Sequence, residues 1–152
     1  MSSSLQVIVF LLAGERHAVR LAEVEHAVRA AHVTAVADAP AAVLGLLDVA
    51  GSVLPVLSLR RRMGGVEEAI HPDQHFLIVR MGMRRAIVVV DEVLGLEEVA
   101  DLVEPHGVIP GLERCGGIAR LPDGLLLIHD LEQFFSPEEW RQTERVIADV
   151  AH

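Results

Sequence analysis

Lysine and tyrosine are both missing from this 152-residue chain, and cysteine occurs once. Without lysine there can be no Walker A lysine, no Schiff-base lysine and no kinase-type strand lysine. The single Cys115 excludes an intramolecular disulfide and fits a reducing compartment. Aromatics are scarce: Phe10, Phe76, Phe134, Phe135 and Trp140 are all there are. Positive charge is scarce too, with a net charge of −9. Nucleic-acid binders need a basic field and stacking platforms, so that class of partner is not expected. The one basic cluster, Arg60 to Arg62, reads as a solvated helix end. No apolar run approaches the roughly 18 residues of a bilayer span. The opening MSSSLQVIVFLLAGERH has no basic flank before its apolar stretch and does not read as a secretory signal. The expectation is a cytoplasmic protein with no nucleic-acid partner and no direct membrane insertion.

What the chain does have is apolar content, at 51% of residues, enough for a packed core rather than disorder. It also has internal self-similarity. Residues 7–24 (VIVFLLAGERHAVRLAEV) and 76–93 (FLIVRMGMRRAIVVVDEV) share an apolar strand, an arginine-bearing turn, a second apolar strand and a Glu-Val step. Val9 and Ile78, Arg16 and Arg85, Val19 and Val88, Glu23 and Glu92, and Val24 and Val93 are all 69 positions apart. A second pair, residues 45–59 and 117–131, follows at an offset of 72. Its turns, Ala50-Gly51-Ser52 and Pro122-Asp123-Gly124, carry hairpin chemistry. Ser58 and Asp130 are N-cap types ahead of short helical turns. Each half therefore reads as hairpin, crossover, hairpin and short helix. The pattern predicts a mainly β protein of two similar small barrels, with repeat units of roughly 7–64 and 76–135 and strands open to exchange between lobes.

The remaining segments read as connectors. A short strand is expected at Val33 to Val36, then a turn at Ala39-Pro40. Residues 64–75 link the halves, and 101–116 form the corresponding loop in the second half. Ser136-Pro137-Glu138-Glu139 has the form of a capping box with proline at the first helical position. It opens a helix over about 137–149, whose face of Trp140, Thr143, Ile147 and Val150 should dock on a barrel.

Catalytic patterns are hard to find. His71 and His75 have helical metal-ligand spacing, but Pro72 and Asp73 argue against a helix and no third ligand is near in sequence, so no metal site is assigned. His129, in an apolar strand, reads as a satisfied core or rim residue. Ser52 and Ser58 lack a nucleophile-elbow context. Cys115 beside Gly116-Gly117 reads as an inert loop cysteine. Glu67/Glu68, Glu97/Glu98 and Glu138/Glu139 are sequence neighbours, which point to opposite faces of a strand and make no acid/base dyad there. No phosphate loop is present. These readings favour a binding module with no catalytic residues and no cofactor.

Three segments resemble one family. GLLDVAGSVLPVLSLR (45–60) resembles the most recognisable segment of the CheW-like chemotaxis coupling proteins, through Gly45, Gly51, Val53, Pro55, Val56 and Leu59. VVDEVLGL (89–96) resembles a second signature, through Val89, Asp91, Val93 and Gly95, and GIARLPDGLLLIHDLEQFFSPEE (117–139) resembles the C-terminal segment. The resemblance spans almost the whole chain in the correct order. It implies two SH3-like five-stranded barrels packed together, without enzymatic activity. It also implies two partners: the cytoplasmic tip of a chemoreceptor, seated between the lobes, and the regulatory domain of a chemotaxis histidine kinase. By that resemblance, Val24, Gly45, Ala50 and Val88 line the receptor groove, and Ala31, His32, Val33 and Thr34 form the kinase-facing edge. The chain departs from the pattern at Asp48-Val49-Ala50-Gly51, where the family usually has Asn-Leu-Arg-Gly. It departs again at His26, a common acidic position, and at Ser58, usually Asp. An arginine and an acid expected to pair near the groove are thus both replaced, so neither charge is left unpaired. A divergent adaptor of a pilus, gliding or other non-flagellar pathway would have lost or altered the receptor or the kinase interface, and these departures fall at the receptor contact.

Overall fold

The structure, a computed structural model, describes residues 4–65, 69–100, 102–103 and 115–151. Eleven strands and two α-helices follow the chain among these residues. The strands are β1 (Leu5–Leu12), β2 (Glu15–Arg20), β3 (Val24–Arg29), β4 (Val43–Val49), β5 (Ser52–Leu57), β6 (His75–Met81), β7 (Arg84–Val90), β8 (Glu92–Val99), β9 (Leu102–Val103), β10 (Cys115–Leu121) and β11 (Gly124–His129). Helix α1 (Leu59–Arg62) follows β5, and α2 (Pro137–Ala151) ends the fold. No helix of the described residues is long and apolar enough to cross a membrane.

The hairpins form where local chemistry dictates. In β1–β2 the two-residue loop Ala13-Gly14 has φ of 53° and 79°, and in β4–β5 Ala50-Gly51 has 51° and 91°. Positive φ at both central residues is the type I′ geometry that matches strand twist. Gly51 adopts it freely, and its N–H donates to Asp48 Oδ1 at 2.8 Å, so the Asp48 of this chain closes its own turn.

The strands assemble into two sheets in a reciprocal pattern. One has the order β8-β1-β2-β11-β10-β9, the other β3-β6-β7-β5-β4. Ignoring β9, the two orders correspond: each has a central hairpin, flanked antiparallel by a strand of the other half and joined parallel to a second hairpin. The parallel joints rest on Leu127↔His17 and Ile128↔Ala18 in one sheet, and on Val56↔Ile87 and Leu57↔Val88 in the other. Neither sheet is built from one sequence repeat. The first hairpin, β1–β2, completes its sheet with β8 to β11. The second, β6–β7, completes its own with β3, β4 and β5. The chain passes between sheets at two crossovers: the 3-10 turn Leu21–Glu23 between β2 and β3, and Asp91 between β7 and β8.

Three apolar clusters explain why the central strands are almost continuously apolar. Along β1, Val7 and Val9 join a cluster with Ala18, Val99, Ala119, Leu126 and Ile128 inside the six-stranded lobe. The alternate residues Phe10 and Leu12 face the other way, into a larger central cluster. In β7, Ile87 and Val89 fill the five-stranded lobe with Phe76 and Ile78, while Ala86, Val88 and Val90 join the central cluster. Each central strand is therefore buried on both faces, and a period-2 pattern has no reason to appear. The central cluster holds the lobes together and takes in Leu131, Phe134, Phe135 and Trp140.

Ser58 Oγ accepts from Arg61 N–H at 3.1 Å and caps α1. Asp130 Oδ1 accepts from Glu132 N–H over the 3-10 turn Leu131–Gln133. The capping box of α2 forms in both directions, with Glu139 N–H donating to Ser136 Oγ at 3.1 Å and Ser136 N–H to Glu139 Oε1 at 3.0 Å. Trp140 and Thr143 are buried, but Val150 is 53% exposed, so α2 docks through its first turns and its last turn projects away. The strand expected at Val33 to Val36 reduces to one bridge, Thr34↔Leu46. The arginine cluster is not simply solvated. Arg60 Nη2 donates to Asp91 Oδ2 at 2.8 Å, and Arg61 Nη1 to the Ala41 carbonyl at 2.8 Å. The loop expected over 101–116 is interrupted by β9 at Leu102–Val103, and β10 already begins at Cys115, which is therefore a strand residue; residues 101 and 104–114 and the Glu67/Glu68 pair lie outside the described residues.

Candidate partner-docking surface

The segment Ala31–Thr34 runs beside the outer strand β4 and is held there by backbone hydrogen bonds and by Val33 packed on the five-stranded lobe's core. Thr34 N–H donates to the Leu46 carbonyl at 3.0 Å, and Leu46 N–H donates back to the Thr34 carbonyl at 2.8 Å. Gly45 makes this approach feasible. A Cβ there would stand 2.3 Å from Thr34 O and 2.6 Å from Val33 Cγ1, and the register shift between Val43 and Gly45 marks a bulge at the same place. Ala31 and His32 are exposed and Val33 is half-buried. With Ala35, Leu44, Arg61, Ala69 and Ile70 they line a concavity of about 450 Å3. The four edge residues therefore form one contiguous feature on a fixed backbone.

The four groove residues are not brought together in the same way. Val88 is 0% exposed in the central cluster and cannot present its side chain to a partner, which corrects its expected role. It belongs to a strand buried on both faces. Gly45 is buried and pairs with Val56 of the five-stranded lobe's own core, so its close approach serves Thr34 rather than a ligand. Val24 is half-buried against the central cluster, and Ala50 is exposed at the β4–β5 tip.

Open apolar surface lies instead along β3 and β8, the corresponding terminal strands of the two sheets. Val28 on β3, and Leu94 and Leu96 on β8, are 42%, 47% and 55% exposed. Terminal strands with unpaired backbone and apolar side chains are ready contact surfaces. Beside them Glu25 accepts from Arg85 Nε at 2.8 Å, with Arg80 Nε at 3.5 Å. The hydrogen bond from Arg85 is the largest effect holding Glu25 below the ordinary carboxylate range.

Three charged or titratable joints lie behind these surfaces. Asp91 accepts from Ala13 N–H at 2.8 Å, Arg60 at 2.8 Å and Gln74 Nε2 at 2.9 Å. Burial alone would raise its pKa, but those hydrogen bonds together prevail and hold it down. The ring nitrogens His17 Nδ1 and His129 Nε2 lie 3.0 Å apart across the parallel joint, with Phe10 stacked on both. Burial and then the neighbouring His17 push His129 down to about 3, and burial lowers His17 as well. Glu23, at the first crossover, is the opposite of Asp91. Its Oε2 is buried without a hydrogen-bond partner.

Sequence reasoning singled out Asp91 as a motif residue but not as a bond hub, and missed the roles of Arg60, His17 and Glu23. His17 and His129 are 112 residues apart, and nothing local links them. His71 Nδ1 accepts from Asp73 N–H within its own turn. Among the described residues, no group of three or more His, Cys, Asp or Glu is placed to hold a metal ion.

The model of the CheW-like domain matches residues 6–139. The chain is 23% identical over 145 residues to the chemotaxis protein CheW of Klebsiella aerogenes, covering 93% of this chain and 87% of that one. It is 28% identical over 139 residues to the probable chemotaxis protein CheW of Rhizobium etli, covering 88% and 89%. The crystal structure of scaffolding protein TtCheW from Thermoanaerobacter tengcongensis superposes with a TM-score of 0.76 at 22% identity, over 91% of this chain and 92% of that one.

Proposed function

The chain belongs to the CheW-like domain family, and on that footing we propose that it is a non-catalytic adaptor of a chemosensory pathway. It couples the cytoplasmic tip of chemoreceptors to the regulatory domain of a histidine kinase. The family match across residues 6–139 carries this reading. The match runs through both sheets, so the whole two-lobed body is the functional unit rather than one grafted site. Location in the cytoplasm, at a receptor array, follows from these partners.

On this reading the kinase regulatory domain meets the edge at Ala31, His32, Val33 and Thr34. Three features suit that segment to docking: a backbone held to β4 through Thr34, exposed side chains at Ala31, His32 and Thr34, and a concavity beside it where Val33, Leu44 and Ile70 lie next to His32 and Arg61. The receptor tip lies toward Val24 and Ala50, with the open apolar side chains of β3 and β8 as further contact area. Ala50 and His26 replace the charged pair usual in the family, and this favours a second form of the same reading. The protein is then a divergent adaptor of a pilus, gliding or other non-flagellar pathway, with an altered receptor contact.

The test is calorimetric titration of the intact protein with a kinase regulatory domain and, separately, with a receptor tip fragment from the same genome. Binding to both is expected. Binding to the kinase domain with weak or no binding to an ordinary receptor tip selects the divergent form. Failure to bind either removes the adaptor reading.

A further inference from the structure

The two crossovers are built from carboxyl groups in opposite states. At the second, Asp91 is saturated with donors from β1–β2, α1 and the segment before β6. At the first, the Glu23 side chain is 13% exposed, and Arg20 Nη1 stands 3.7 Å away, too far for a hydrogen bond. Its other oxygen is buried and unpartnered. The turn that carries it contacts β1 and β6, one strand from each sheet.

The charges around Glu23 do not replace that lost hydration. β1 has no charged residue. On β6, Arg80 is engaged with Glu25, and His75 sits at the far end of the strand. Asp130 and Glu132, on the turn that ends β11, repel a carboxylate at Glu23, and only Arg20 attracts one. We propose that Glu23 is a proton-operated joint: the neutral acid seats the Leu21–Glu23 turn between the lobes, and ionisation drives it away from Asp130 and Glu132. Burial is the largest of these effects and raises the Glu23 carboxyl to about 7, within the range of cytoplasmic pH. Strand β3 starts at the next residue, Val24, so the joint bears directly on where that terminal strand sits. It is internal to the fold and does not depend on which partners the adaptor binds.

The experiment is a carbon-13 NMR titration of side-chain carboxyls on the intact protein, with amide shifts followed in wild type and Glu23→Gln. The expected result is a Glu23 midpoint near 7, with amides of 21–29 and 130–133 moving at that midpoint in wild type and not in the variant. In parallel, the wild-type folding equilibrium constant should fall by about one to two orders of magnitude between about pH 5 and about pH 8 relative to Glu23→Gln. The sign follows from a folded-state pKa above the unfolded one. A Glu23 midpoint in the ordinary glutamate range would overturn the proposal. So would amide shifts that persist unchanged in Glu23→Gln.

Discussion

Substituting Gly45 with alanine tests the backbone contact that shapes the proposed kinase edge. Relative to glycine, alanine at a tolerant strand site stabilises by roughly 0.4–1 kcal/mol, because it restricts the unfolded chain. Here the added Cβ would meet Thr34 O at 2.3 Å and Val33 Cγ1 at 2.6 Å. The first is main chain, so no side-chain rotation relieves it. The segment must move off β4, breaking the reciprocal Thr34–Leu46 hydrogen bonds. Two such bonds contribute about 1–3 kcal/mol together, and partial separation of Val33 from the five-stranded core adds a fraction of its burial. A destabilisation of about 2–4 kcal/mol is expected, against a small gain if the site were open. Urea unfolding followed by circular dichroism gives the sign directly. Gly45→Ala should also weaken kinase-domain binding by calorimetry, since the edge is displaced. A variant as stable as wild type, or more so, would refute the close-approach account.

Val33→Arg should weaken kinase-domain binding by a few kcal/mol, through loss of an apolar anchor and an added charge in a concavity that already holds Arg61; unchanged affinity would remove Val33 from the interface. Restoring the family pattern with Ala50→Arg plus His26→Glu should strengthen binding to an ordinary receptor tip by more than Ala50→Arg alone, as a double-mutant cycle would measure. Wild type binding as tightly as the double variant would show that the receptor contact is unaltered. The neutral His17–His129 pair should make the fold acid-sensitive. Both folded-state pKa values are lowered, so their contribution is complete above about pH 6.5, the unfolded histidine value, and declines as pH falls toward 3. The double variant His17→Leu/His129→Leu should show a flatter decline of urea midpoint over that window, and an unchanged slope would rule the pair out as its source.

What was legible in the sequence is what is local. The turns at Ala50-Gly51 and Pro122-Asp123, the caps at Ser58 and Asp130 and the capping box at Ser136 each depend on residues within a few positions, and each is present. The side on which a strand would be used was not legible. In AIVVV (86–90) both faces are buried, so the sequence has no alternation to separate Val88, facing the central cluster, from Val89, facing the lobe. The groove role of Val88 rests on the family resemblance alone, and nothing in the strand's pattern stands against it. Val150 continues the helical stripe, but whether a partner lies beneath it is set by the distance α2 runs past the sheet. Glu23 and Asp91 look equally ordinary as acids after a strand. One meets three donors and the other only a distant arginine, Arg20, at 3.7 Å, and the difference comes from residues up to 107 and 78 positions away (Asp130 and Ala13).

The reciprocal exchange of strands sets the order in which a growing chain can become a folded one. The five-stranded sheet is complete once β7 leaves the ribosome, since it needs nothing beyond Val90. The β1–β2 hairpin, synthesised first, must wait for β8, β10 and β11. Until then the β1 face that carries Val7 and Val9 lacks the Val99, Ala119, Leu126 and Ile128 that cover it, a state prone to aggregation during synthesis. Its closing contacts also span most of the chain, which slows folding. The same topology means that neither half, expressed alone, carries a complete sheet. A chain cut in the 64–75 link therefore yields two fragments that can form the native sheets only by assembling with each other.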